Sequence, residues 1–357
     1  MRPSTRRVVL FVTAISTFSA GCGDDDAVAT DAAVSPDSGA RDSGTATDSG
    51  PARDAGPRVD AGPMMPGDLP SGDTGIASRH PGDVGIGADS DVLYADDFES
   101  YADDTGLDAN WNDGVYGNVR IATEAANVFA GAKALEFTVP MQDAELSNTV
   151  ARRVSPEQDV VFLRYYSRYD PTFDVLGSSH NGGGISAHYY MSGMATPGVP
   201  ADGMNKFLIE FEAWRGEAAD PNPGSLNVYI YHPAQRDVYG DHFFPHGEVL
   251  PITSIPGDFG PDFIPRTNLV PERGRWYSYE VMLLANTPGM RDGRVAFWVD
   301  GVLAADFRNL RLRDIASLKI DRFNLSLHIG SNTAGVTRKY YDNVVAATSY
   351  IGPVFGG

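Results

Sequence analysis

Apolar and polar residues alternate along much of the second half of the chain. Over residues 276–284, Tyr277, Tyr279, Val281 and Leu283 fall on one side, and Ser278 and Glu280 on the other. A period of two is that of extended chain, in which successive side chains point to opposite faces. Asp292-Gly293 and Asp300-Gly301 interrupt the pattern, with Val295, Phe297 and Val299 aligned between them. Asp-Gly suits tight hairpins, where the backbone needs positive φ. Three antiparallel strands are therefore predicted over residues 276–307. The same alternation predicts strands over 159–169, 185–190, 206–214, 225–232 and 321–329, with shorter ones at 119–122, 134–139 and 148–154. No stretch carries a sustained helical period. The pattern predicts an all-β sandwich of two antiparallel sheets, each with one face on a shared core. His180-Asn181-Gly182-Gly183-Gly184 reads as a flexible turn leading into 185–190.

Five of these strands carry unusual polar faces. Opposite Val161, Leu163 and Tyr165 stand Arg164, Tyr166 and Arg168; opposite Ile185, Ala187 and Tyr189 stand Ser186, His188 and Tyr190. The next two faces hold Glu210, Glu212 and Trp214, then Asn227, Tyr229 and Tyr231, and the last holds Asn324, Ser326 and His328. A plain solvent face would be richer in Lys, Glu and Thr. Side by side, these five strands would build a concave floor of rings and hydrogen-bonding groups, which suits a sugar chain.

The first part of the chain follows other rules. Arg2, Arg6 and Arg7 precede an apolar run, 8–18, that is too short to span a bilayer. Ser19-Ala20-Gly21 then leads to Cys22, the only cysteine. Residues 1–22 resemble a bacterial lipoprotein signal, which implies lipidation at Cys22 and a lipid-anchored place in the cell envelope, at the outer membrane or cell surface; plain secretion is the alternative. Residues 23–91 hold fourteen Asp and four Arg, with no Glu, Lys, Phe, Trp or Tyr. Such a composition offers little apolar surface to bury and predicts a disordered linker. Residues 92–357 then form one domain. The net charge of −19 leaves that domain acidic after the linker is set aside, which argues against nucleic acid as a partner. One cysteine allows no internal disulfide.

Gly274-Arg275-Trp276-Tyr277, Asn286-Thr287-Pro288-Gly289, Trp298-Val299-Asp300-Gly301, the run VYIYHPAQ at 228–235, Tyr239-Gly240-Asp241, Tyr341-Asp342-Asn343-Val344-Val345 and Tyr350-Ile351-Gly352-Pro353 together resemble concanavalin A-like jelly rolls. Within that group they most resemble polysaccharide lyases of the alginate lyase and glucuronan lyase type. The resemblance implies β-elimination on a uronate-containing glycan. Such a reaction needs a group that neutralises the sugar carboxylate, a base for the C5 proton and an acid for the leaving oxygen. Arg164, His180, His188, Tyr229 and Tyr231 supply those types as candidate catalytic residues. Tyr166, Tyr190, Glu210, Glu212, Trp214, Asn227, Gln235 and His328 are candidates for substrate binding. His180 stands where the family carries Lys. In such jelly rolls the first strand runs near the last, so Glu99 and Asp342 could share a structural Ca²⁺. The expected partner is a polysaccharide, with the membrane reached through the lipid anchor alone. A non-catalytic glycan-binding lipoprotein is the alternative. A retaining glycosidase is a weaker rival, because Glu210-Phe211-Glu212-Ala213-Trp214 begins an alternating-acid pattern but has Trp214 in place of a third acid. Asp241, His242 and His246 lie in a Pro-containing loop and suggest zinc only weakly.

Overall fold

A computed structural model describes residues 69–356, apart from 142–143, 178, 192–195, 236, 252–258 and 331–334. The lipidation site at Cys22, the signal and the linker as far as residue 68 lie outside the described residues. Among the described residues, no helix is long and apolar enough to cross a membrane.

The chain forms β1 (Val92–Asp96), β2 (Gly114–Tyr116), β3 (Val119–Ala122), β4 (Ala134–Val139), β5 (Leu146–Gln158), β6 (Val160–Tyr169), β7 (Ser179–His180), β8 (Gly183–Ala187) and β9 (Phe207–Trp214). It continues with β10 (Ser225–Tyr231), β11 (Asp241–Phe243), β12 (Val249–Leu250), β13 (Trp276–Leu284), β14 (Gly293–Val299), β15 (Val302–Leu310), β16 (Ile320–Ile329) and β17 (Thr337–Ala347). The strands make two antiparallel sheets, a jelly-roll sandwich. The back sheet runs β15-β14-β13-β6-β17-β4-β3, with β1 also on β17; the front sheet runs β12-β11-β10-β9-β8-β16-β5-β2, with β7 also on β16.

The inner faces are those the alternation marks, except at Tyr189: β8 ends at Ala187, His188 takes positive φ, and Tyr189 joins Tyr229 and Tyr231 on the outer face instead of the inter-sheet core. Leu163, Tyr165, Tyr279, Val281 and Phe297 of the back sheet are buried in one cluster with Ile185, Ile209, Phe211, Val228, Phe323 and Leu325 of the front sheet. Phe211 stacks on Phe297 with ring centroids 4.5 Å apart, joining the two layers. Asp300 and Gly301 both take positive φ, 49° and 75°, as a two-residue β14–β15 hairpin requires.

Two expectations need correction. The strand over 159–169 does not join the other four polar-faced strands. As β6 it lies in the back sheet between β13 and β17, with Arg164 opposite Glu280 and Tyr166 opposite Asp342. Alternation fixes which residues share a face of a strand; long-range pairing decides which sheet takes the strand.

The second correction concerns 69–91, which is part of the folded domain. Four short 3₁₀ turns (Gly72–Thr74, Ile76–Arg79, Pro81–Asp83 and Ile86–Ala88) form a strap that packs on the outer face of the back sheet. Ile76, Ala77 and Ile86 are buried with Phe162, Met282, Ala296 and Trp298, and with Tyr350 and Ile351 of the C-terminal tail. The amides of Ile76 and Ala77 donate to the carbonyls of Tyr350 and Ile351, and Trp298 Nε1 donates to Pro70 O. At Gly75 a Cβ would stand 2.3 Å from Ile351 O, so the strap and tail meet only through a glycine. Averaged composition hid the strap, because two isoleucines sit in a segment dominated by Asp, Gly and Pro.

Candidate functional site

The outer face of the front sheet carries the densest set of reactive side chains. One cross-strand row reads Asn324, Gly184, Glu210, Tyr229 and His242, on β16, β8, β9, β10 and β11. Gly184 contributes space. A Cβ there would lie 2.3–2.6 Å from the Glu210 carboxylate, which folds across the bare backbone. From that position Glu210 Oε1 accepts a hydrogen bond from Asn324 Nδ2 at 2.9 Å, and Asn324 Oδ1 accepts from Arg322 at 2.8 Å. Glu210 Oε2 is buried without a protein partner.

Two residues along β9, Glu212 faces the same way. Its Oε2 lies 2.7 Å from His180 Nδ1 and its Oε1 3.2 Å from His242 Nδ1. The imidazole of His180 then sits between two rings, with centroids 4.7 Å from Tyr229 and 5.5 Å from His328. The charge balance of this cluster follows from burial and pairing. Burial pushes the Glu210 carboxyl up to about 7. Burial would also raise Glu212, but its imidazole partners, His180 first, hold it below the usual carboxylate range. For His180 the order of causes is the same: burial disfavours the cation, but Glu212 and then Glu210 outweigh it and raise the imidazole above its usual value. Burial, aided by the neighbouring His180, pulls His328 down to about 4, so it is neutral near pH 7.

The three glycines at 182–184, the last two of which open β8, are close-packed rather than flexible. A Cβ at Gly182 would meet Phe211 O at 1.7 Å, and one at Gly183 would meet the Tyr165 ring at 2.4 Å. Beneath them the core holds a polar network around Asn181, the residue that follows His180. Tyr169 Oη donates to Asn181 Oδ1 at 2.7 Å, Asn181 Nδ2 donates to Ala213 O at 2.7 Å, and Lys339 Nζ donates to Asn181 O. Lys339 is buried, its ammonium 3.8 Å from the Tyr169 ring centroid. Burial holds its pKa well below the usual lysine value, though the charge of Glu212 opposes this.

Tyr229 and Tyr231 lie on the expected face but beneath its surface. They form a buried cluster with Tyr189, Ala201 and Leu208. Lys206 Nζ stands 4.0 Å over the Tyr231 ring and donates to Thr196 O at 2.6 Å. Burial raises both phenols and lowers Lys206 to about 8. The two tyrosines are therefore not an open floor, because Ala201 and Lys206 cover that end of the sheet.

Other predicted residues are dispersed. Arg164 is fully buried on the far side of the sandwich, 2.6 Å from Asp83 of the strap, and the Tyr166 hydroxyl accepts from Val354 N. Neither can reach the front face. Gln235 locks its own loop: Oε1 accepts from His232 N, and Nε2 donates to Tyr239 O. His188 turns away toward Glu157 and Asp321. Tyr190 is exposed and packs edge-on against Tyr189. Trp214 sits at the margin, 5.4 Å from His242, and Asn227 Oδ1 lies 3.0 Å from His242 Nδ1. Glu99 and Asp342 both clasp the turn at 129–133: Glu99 Oε1 accepts from the amides of Ala132 and Lys133, and Asp342 Oδ2 from those of Phe129 and Ala130. Asp241, His242 and His246 do not converge: Asp241 pairs with His232, and His246 with Glu248 and Asn268.

Sequence reasoning missed Lys206, just before β9, and Lys339, within β17 opposite Phe137 and Tyr169. It also missed His242 as a partner of Glu212. That link was in principle available, since β9 and β11 both flank β10.

No protein-family model matches the chain, and no curated protein matches it. In three dimensions the fold is similar to solved structures of polysaccharide lyases. A double mutant of alginate lyase Aly36B in complex with alginate trisaccharide is 20% identical, with a TM-score of 0.50, the match covering 72% of this chain and 98% of that one. Endo-β-1,4-glucuronan lyase from the fungus Trichoderma reesei is 14% identical over 72% of this chain and 95% of its own, with a TM-score of 0.44. Alginate lyase vAL-1 from Chlorella virus is 13% identical over 72% and 99%, with a TM-score of 0.47. The first of these likenesses shows a shared jelly-roll fold.

Proposed function

We propose that the protein is a polysaccharide lyase that cleaves a uronate-containing glycan by β-elimination on the outer face of the front sheet. The observation that carries the reading is the His180–Glu212 pair at 2.7 Å, set between the rings of Tyr229 and His328. Glu212 orients His180 through Nδ1 and stabilises the imidazolium, leaving Nε2 to take the C5 proton of the sugar. The electron pair of that C–H bond forms the C4–C5 double bond as the C4–O4 bond breaks. Glu210, with a carboxyl near 7, supplies the proton to the departing oxygen. His328 offers a neutral N–H toward the sugar carboxylate.

The site also answers the objection that an acidic domain should repel a polyanion. Near pH 7 a large share of Glu210 is protonated, and Glu212 is fully buried against two imidazoles, so neither presents a full negative charge to the sugar chain. Similarity in fold to an alginate lyase that binds an alginate trisaccharide supports the substrate class. Retaining hydrolysis fits less well, because Glu212 has no exposed surface and its oxygens face two imidazoles, so it cannot attack a sugar carbon.

The test is a panel of polyuronates and neutral glucans incubated with the purified protein, reading the absorbance of unsaturated ends alongside reducing ends. Unsaturated products from a uronate polymer are expected. Reducing ends alone would mean a hydrolase, and binding without either product would mean a glycan-binding module.

A further inference from the structure

Glu157, His188 and Asp321 meet at the end of the front sheet, apart from the cluster around Glu212. They come from three neighbouring strands, since β16 pairs with β8 on one side and with β5 on the other. Asp321 lies where the register of β5 and β16 slips: Ile320 is opposite Gln158 but Arg322 is opposite Arg153, so 154–157 bulge out against Asp321 alone. A bulge re-aims side chains, and here it presents Glu157. His188 follows directly on β8 and takes φ of +54°, an uncommon conformation for a residue with a side chain.

The ligand-capable atoms of the three residues all lie within 4.8 Å of one another. His188 Nε2 and Glu157 Oε1 are 3.5 Å apart. That is long for a hydrogen bond, but close to the separation of about 3.4 Å between two ligands of a tetrahedral ion with bonds of about 2.1 Å. Asp321 is already oriented. Its Oδ1 accepts from His188 N and its Oδ2 from Arg153 Nη1, both at 2.9 Å. Arg153 is itself held by Asp113 and by Tyr189 O. A carboxylate fixed by outer donors, with lone pairs still available, is the usual setting of a metal ligand.

We propose that Glu157, His188 and Asp321 bind a divalent ion of the zinc class. One imidazole and two carboxylates suit Zn²⁺ better than Ca²⁺, which takes an all-oxygen shell. Three protein ligands leave one position for water or a ligand oxygen. The ion staples β5, β16 and β8 at the end beside Tyr189 and Tyr190.

The experiment uses the full chain, stripped with chelator and titrated with ZnCl₂ by calorimetry and by thermal unfolding. One Zn²⁺ per chain is expected, with a rise in melting temperature from binding to the folded state alone. Glu157→Gln, at an exposed position, and His188→Asn, which tolerates positive φ, are each expected to weaken binding by about tenfold or more and to reduce the thermal shift at a given Zn²⁺ concentration. His180→Asn, in the other histidine cluster, is expected to leave both unchanged. Absence of stoichiometric binding, an unchanged affinity in Glu157→Gln, or loss of binding in His180→Asn would each overturn the site.

Discussion

The two outer faces of the sandwich make an instructive pair. Both carry Arg, Tyr, Glu and Trp where a plain solvent face would carry Lys and Thr. On the back sheet these residues are structural. The strap and the tail cover Arg164, Tyr166 and Glu280, and each finds a partner from those segments: Asp83 for Arg164, Val354 N for Tyr166, and the amides of Ile351 and Gly352 for Glu280. On the front sheet the comparable groups pair with one another, as in Glu212 with two histidines and Glu210 with Asn324. Polar residues on a strand face thus signal an unusual environment, but they do not say whether a ligand or the chain itself provides it.

The sharpest way to break this contrast is His180→Asn. If the front face is catalytic, this change lowers turnover on a cleaved uronate polymer by about 10²–10⁴-fold, while urea unfolding shifts by about 1–3 kcal/mol, because buried Glu212 loses one of its two imidazole partners and keeps His242. A large loss of stability with little loss of rate would make the front face structural as well.

Asp83→Ala tests the other side. Removing the strap carboxylate leaves Arg164 buried without its partner and is expected to cost about 3–5 kcal/mol in urea unfolding. Product formation per folded molecule should not change, because the two faces lie on opposite sides of the core.

A pH comparison separates them further. Burial raises the Glu280 carboxyl from 4.5 to about 7, which its bonds to the Ile351 and Gly352 amides only partly offset. The folded chain therefore keeps a proton that the unfolded chain has lost, and the stability this contributes falls as pH rises from about 4.5 through 7. Glu280→Gln removes that dependence. Relative to the parent, the variant should gain up to about 3 kcal/mol between pH 5 and pH 8, measured by urea unfolding at each pH. An unchanged gap would mean that Glu280 is ionised throughout.

The smallest expected effect concerns stacking. Trp214→Ala at the margin of the front face should weaken oligosaccharide binding by roughly fivefold. Trp276→Ala on the back sheet, where the ring packs near Phe129 and Arg168, should leave binding unchanged. Equal losses, read by calorimetry, would erase the distinction between the faces.

The sequence by itself determined the fold class and the inward face of nearly every strand, because a period of two is a local property of extended chain. It also placed Glu210, Glu212, Asn227, Tyr229, Tyr231 and His328 together on one face, since four of its five polar-faced strands do lie in one sheet. Tertiary structure alone decided the rest. The chain's alternation could not show that β6 pairs between β13 and β17, and so it could not show that Arg164 belongs with Asp83. Nor could it show that Gly184 makes room for Glu210, that His242 completes the surroundings of Glu212, or that Lys339 donates to Asn181 within the core. Each of these depends on which distant segment arrives beside a residue. That is settled by packing and by the need of every buried charge for a partner, and no local pattern encodes it.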